Sequence, residues 1–169
     1  MFLGWALSEL GDNENGMARA REGLAAYEAT GAALVRPHFL ALLAEALAGS
    51  GQIEKGLGLL AEAQTLVEDT KESYYEAEIY RLEGVLRIKR GDSPVTVESC
   101  YQRALAVARC QHAKTWELRT ATDLARLWRD QGRNQEARDL LRSVYDWFTE
   151  GFDCPDLRDA NQLLKKLAT

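Results

Sequence analysis

The sequence predicts an all-α fold, a solenoid of about four helical hairpins closed by a C-terminal capping helix. Three observations predict it. Glycine-plus-polar stops recur at Gly11-Asp12, Gly51-Gln52, Gly91-Asp92 and Gly132-Arg133, at spacings of 40, 40 and 41 residues, and such a fixed period is the mark of a repeat architecture. Upstream of the stops, apolar residues fall at i, i+3, i+4 and i+7, as in Leu40, Leu43, Ala44, Leu47 and again in Ala121, Leu124, Ala125, Trp128, which is the stripe of a half-buried helix. No segment alternates convincingly with the period of two that a strand requires.

The elements follow in order as helices over 1–10, 13–30, 34–49, 53–69, 74–90, 95–110, 115–131 and 134–149, grouped into repeats 1–31, 32–71, 72–112 and 113–152. In the third copy Tyr80 and Gly84 keep the stripe while Glu83 and Arg87 interrupt it. After each stop comes a pair of small or short residues two helical turns apart: Gly16 and Gly23, Gly56 and Ala63, Val97 and Ala104, Ala137 and Val144. Small side chains on one face let a second helix approach closely. The one longer spacing contains Ser93-Pro94, where a turn absorbs the extra residue. A ninth helix over 155–168 carries Leu157, Ala160, Leu163, Leu164 and Leu167 on one face and Arg158, Asp159, Gln162, Lys165 and Lys166 on the other. A polar outer face suits the cap of a repeat array.

All 169 residues read as a single domain. With 46% hydrophobic and 28% charged residues the chain has the means to bury a core, and its net charge of -5 argues against a nucleic-acid partner, whose phosphates need a basic stripe. No apolar run reaches the roughly 18 residues of a membrane span, and no positively charged leader follows Met1. Cys100, Cys110 and Cys154 form no disulfide or zinc spacing, so a cytoplasmic setting is expected. Helix 1–10 lacks the first turns of its counterparts, so the array reads as cut on its N-terminal side, with Met1 lying within a longer protein or, alternatively, the natural chain beginning abruptly there.

Residues that could carry chemistry are few. Gly51-Gln-Ile-Glu-Lys-Gly56 has the glycines of a phosphate loop but is followed by Leu57-Gly58 rather than by Lys and Ser or Thr, so it reads as a turn and a close helix contact. His38 and His112 sit in no metal motif. The acids Glu62, Glu68, Asp69, Glu72, Glu76 and Glu78 read as flanks of a turn and as first-turn charges that suit the helix dipole. Trp116 and Trp128 read as packing residues. No enzyme and no cofactor are expected.

The repeat resembles the tetratricopeptide (TPR) signature. Gly56-x3-Leu60, Val97-x3-Tyr101 and Ala137-x3-Leu141 stand where that family has A-x3-F, and Gly4, Ala44, Gly84 and Ala125 stand at its helix-A glycine. The period is longer than the usual 34. The segments Ala104-Leu-Ala-Val-Ala-Arg109, Leu124 to Gly132, and Trp147 to Asp153 followed by Pro155-Asp-Leu157 further resemble the C-terminal TPR region of bacterial adenylate or guanylate cyclase-like regulators that carry an ATPase module. Neither that module nor a cyclase domain is present in these residues.

The resemblance implies a right-handed superhelix whose first helices line a concave groove. Aligning the repeats nominates its columns: Met1, Ala41, Arg81 and Thr122; Trp5, Glu45, Val85 and Arg126; Ser8, Ala48, Ile88 and Arg129; with His38, Glu78 and Arg119 as a further row. A protein or peptide partner, another domain of the parent chain or a second copy would lie there, the module serving as an interaction or regulatory scaffold in a bacterial signalling protein. The alternative is an effector-sensing domain for a small molecule or signalling peptide. Arg119, Arg126 and Arg129 share one face and read in two ways: as the berth of an acidic group, in which case reversing Arg119 and Arg126 would weaken capture and leave stability nearly unchanged, or as a solvated face paired with Asp123 and Asp130.

Overall fold

The computed structural model describes residues 2–32 and 34–168, apart from the side chains of Ser8, Glu9, Asn13 and Glu14. Among the described residues the regular elements are all helices, without strands: α1 (Phe2–Glu9), α2 (Asn13–Glu28), α3 (Arg36–Gly49), α4 (Ile53–Thr70), α5 (Glu76–Arg90), α6 (Pro94–Cys110), α7 (Lys114–Asp130), α8 (Asn134–Tyr145) and α9 (Pro155–Lys166). They form two compact units, Met1–Asp92 and Ser93–Thr169.

The four stops share one geometry. Gly11, Gly51, Gly91 and Gly132 all have φ between 79° and 90°, a left-handed conformation that glycine adopts without a Cβ penalty. The residue after each glycine donates its N–H to a carbonyl five positions back: Asp12 to Leu7, Gln52 to Leu47, Asp92 to Arg87 and Arg133 to Trp128, at 2.8–3.0 Å. This is the Schellman cap that satisfies the last carbonyls of a helix. His112, with φ 54°, performs the same turn at the end of α6, where Ala113 donates to Ala108.

In the first unit α1 pairs with α2, α3 with α4, and α5 packs on α3 and α4. Gly4 shows why small residues recur at this contact: a Cβ there would stand 2.6 Å from the Gly16 carbonyl oxygen and 2.4 Å from the Ala20 nitrogen. Gly56 meets the Ala44 carbonyl in the same manner one repeat later. Glu83 and Arg87, which interrupt the stripe of α5, bond to one another at 2.7 Å, while Gln64 of α4 donates to Glu83 and Arg87 reaches Asp92.

In the second unit α7 packs on α6 and α8, and α9 lies against α7 and α8. The side chains of Tyr101, Leu118, Leu124 and Leu141 are at most 1% exposed and form its core. Ser93 caps α6 by accepting the Thr96 N–H, with Pro94 in the first turn. The end of α8 departs from the sequence expectation. Helix is expected to 149, but it stops at Tyr145, where Trp147 and Phe148 donate to carbonyls only three residues back. That tightening precedes Gly151, whose φ of 76° turns the chain toward α9. Leu157, Ala160, Leu163, Leu164 and Leu167 of the cap are buried as its pattern requires.

Candidate functional site

Of the residues nominated in the first unit, Trp5 lies on α1, His38 and Glu45 on α3, and Glu78 and Arg81 on α5. Trp5 donates its indole N–H to Glu45 Oε2 at 2.7 Å, tying α1 to α3. Arg81 grips Glu78 through two bonds of 2.8 Å, and Glu78 is only 3% exposed. A buried carboxylate is tolerable when its charge is met in this bidentate fashion. His38 lies on the Tyr75 ring, centroids 3.9 Å apart and nearly parallel, and its Nδ1 is 3.1 Å from the Tyr74 hydroxyl.

Around His38 stands an aromatic cluster that the repeat alignment does not nominate. Phe2 meets the edges of His38 and Phe39, Tyr27 packs on Phe39, and Tyr74 packs edge-on against His38 and Tyr75. Phe2 remains 60% exposed and Tyr74 45%. The signal in the sequence is the Tyr74-Tyr75 pair in the turn before α5.

Burial, the larger influence, holds the His38 ring below the ordinary histidine range, and the negative charge of Glu78 pulls it part of the way back. The Tyr74 hydroxyl is pushed up to about 12 by burial and then by the charges of Glu72 and Tyr27. A native state that resists protonating His38 binds fewer protons than the unfolded chain, so this group's contribution to stability falls as pH drops from about 7 through the unfolded value near 6.5. In an NMR titration the His38 midpoint is expected below that of a free histidine, and Glu78→Gln should lower it further. A midpoint above the free value would place charge pairing ahead of burial.

In the second unit the arginine row is already occupied. Arg119 donates to Asp156 Oδ2 at 2.8 Å, Arg126 bonds Asp123 at 2.9 Å and also both carboxylate oxygens of Asp159, and Arg129 bonds its neighbour Asp130 at 2.7 Å. The reading as an open berth for an acidic group is therefore corrected: α9 presents Asp156 and Asp159 to the row. Asp159, placed by its pattern on an idle outer face, is one of these partners. Thr122 also departs from its nomination. It is 3% exposed and its hydroxyl donates to the Leu118 carbonyl, because its place on α7 turns into the core. Ala41 and Ala48 are likewise buried, whereas Val85 is half-buried and Ile88 exposed; Met1 and the side chain of Ser8 lie outside the described residues.

Trp116 and Trp128 are half-buried, their rings covered by the guanidinium groups of Arg119 and Arg133 at 5.1 and 4.5 Å. Glu117, 5% exposed, is driven toward neutrality by burial, but hydrogen bonds from Lys114 and Arg109 outweigh this and hold its carboxyl below the ordinary range. Among the described residues no three His, Cys, Asp or Glu side chains converge as a metal site, and no helix is long and apolar enough to cross a membrane.

The class these helices define is the TPR-like helical repeat. The chain is similar in fold to two crystal structures of kinesin light chain TPR-like repeats from Podosopora anserina, with TM-scores of 0.70 and 0.69. Each is 19% identical and covers 98% of this chain, against 81% and 82% of its own. No protein-family model matches the chain. An uncharacterized protein of Rhizobium meliloti (strain 1021) is 30% identical over 113 residues, which is 67% of this chain and 11% of that protein, so the chain spans about a tenth of this relative's length.

Proposed function

We propose that the chain is a non-catalytic protein-interaction module that captures a peptide, or another domain of its own parent protein, on the helix-A face of its first unit. The observation that carries this reading is the cluster of Phe2, His38 and Tyr74. Aromatic side chains at 60% and 45% exposure, flanked by the fixed carboxylates of Glu45 and Glu78, form a surface on which an apolar anchor residue can bury area. Aromatic rings lose little conformational entropy on such contact. A cytoplasmic bacterial signalling protein of the cyclase-like, ATPase-bearing kind is the setting that the sequence resemblance favours, and the much longer bacterial relative agrees with a repeat array serving as one part of a large chain.

Peptides selected from a random displayed library against the immobilised chain should lose about tenfold or more in affinity on combining Phe2→Ala with Tyr74→Ala, a difference of about 1.4 kcal/mol, with the helical circular dichroism unchanged. Equal affinity for both proteins would remove this face from the reading. A second reading, an effector-sensing domain for a small molecule, is favoured by a leucine-floored depression between α2 and α4.

A further inference from the structure

That depression is open to solvent and holds about 380 Å³ among Arg21, Leu43, Leu47, Lys55, Gly58 and Leu59. The size falls within the range of small-molecule sites. Leu43 and Leu47 of α3 make the floor, themselves 5% and 3% exposed, and Leu59 of α4 packs beside them. Arg21 of α2 and Lys55 of α4 stand on the rim, both exposed. Lys55 donates to Gln52 at 2.8 Å, and Arg21 makes no ion pair among the described residues.

Gly58 supplies an independent observation. A glycine inside a helix is disfavoured relative to alanine, and it persists where something must come close. At Gly56 that something is the protein itself, since a Cβ would stand 2.7 Å from Leu86 and 3.0 Å from the Ala44 carbonyl. At Gly58 a Cβ would meet nothing within 4 Å. Packing does not explain this glycine, yet it forms a wall of the depression, where a missing side chain leaves backbone open to an occupant.

We propose that the depression binds a small apolar monocarboxylic acid, its hydrocarbon body on Leu43, Leu47 and Leu59 against the bare backbone of Gly58, and its carboxylate between Arg21 and Lys55. The proposal rests on the effector-sensing reading and names the chemical class of the effector. A leucine floor takes any apolar body, but two cations that make no ion pair among the described residues select an anionic head. An ammonium head would be repelled, and an alcohol would forgo the charge-assisted bonds.

The test is calorimetric titration of the whole chain with decanoate, decanol and decyltrimethylammonium, each below its micelle concentration. Decanoate is expected to bind at one site, with affinity falling as salt is raised. Gly58→Leu, which fills the depression from an exposed backbone and replaces a poor helix former with a good one, should weaken decanoate at least tenfold while the melting temperature holds or rises. Arg21→Glu with Lys55→Glu should weaken it about as much and abolish the salt dependence. If decanol or the ammonium binds and decanoate does not, the acid assignment fails while a small-molecule site stands; if none of the three binds, the effector reading fails with it. A decanoate affinity indifferent to Gly58→Leu overturns the placement.

Discussion

Ala104→Phe is expected to destabilise the chain by about 1–3 kcal/mol, the usual cost of forcing a large side chain into a filled interior. For a chain of this length that lowers the melting temperature by roughly 2–12 °C. Ala104 is wholly buried on α6, as is Ala63 at the equivalent position on α4, and the short Val144 of α8 is 2% exposed, so the limited side-chain size is part of the helix-to-helix fit and not an accident of composition. The same helix provides the control. Ala106, two residues on, is exposed, and Ala106→Phe should leave the transition within the roughly 0.5 kcal/mol scatter of surface changes. An unaltered transition for Ala104→Phe would mean that small residues after each stop do not mark the packed face of these helices.

That packed face was legible because its causes are local and repeated. A left-handed glycine followed by a residue that caps the helix needs only five or six consecutive positions, so Gly11, Gly51, Gly91 and Gly132 announce helix ends before any tertiary contact is known. The contact of Gly4 with Gly16, and its equivalent between Ala44 and Gly56, joins neighbours in one hairpin and reappears at the repeat period. The His38 cluster offers no such cue. Its rings come from α1, α2, α3 and the turn before α5, and the bond between His38 and Tyr74 spans 36 residues, so it exists only once hairpins stack. The arginine row shows both sides of this distinction. Its pairs with Asp123 and Asp130 lie within four residues and could be read from helical spacing, whereas those with Asp156 and Asp159 span 37 and 33 residues and depend on where the cap comes to rest.

That resting place leads to the second large effect. Reversing Arg119 and Arg126 to Glu together is expected to destabilise the second unit by about 1–3 kcal/mol, contrary to the small change that a solvent-facing berth implies. Each half-exposed ion pair contributes about 0.2–1 kcal/mol. The double change removes the bonds to Asp156, Asp123 and Asp159 and sets a like charge against each of them, which adds a penalty of similar size. Burial of Leu157, Leu163 and Leu164 keeps α9 attached, so the change should appear as a lower urea midpoint with faster hydrogen exchange in α9, while its helical content persists. Because the pairs are exposed enough to be screened, raising the salt concentration should narrow the difference from the unaltered chain. Restoring opposite charges with Asp156→Lys and Asp159→Lys in the reversed background should recover most of the midpoint. A midpoint insensitive to the reversal, or a loss that the compensating lysines do not repair, would show that the acids of α9 contribute nothing to its seating. With the row paired internally, an acidic partner at Arg119 and Arg126 would compete with Asp156 and Asp159. That competition is why the exposed aromatic surface of the first unit, and not the arginines, is the face on which partner capture is proposed.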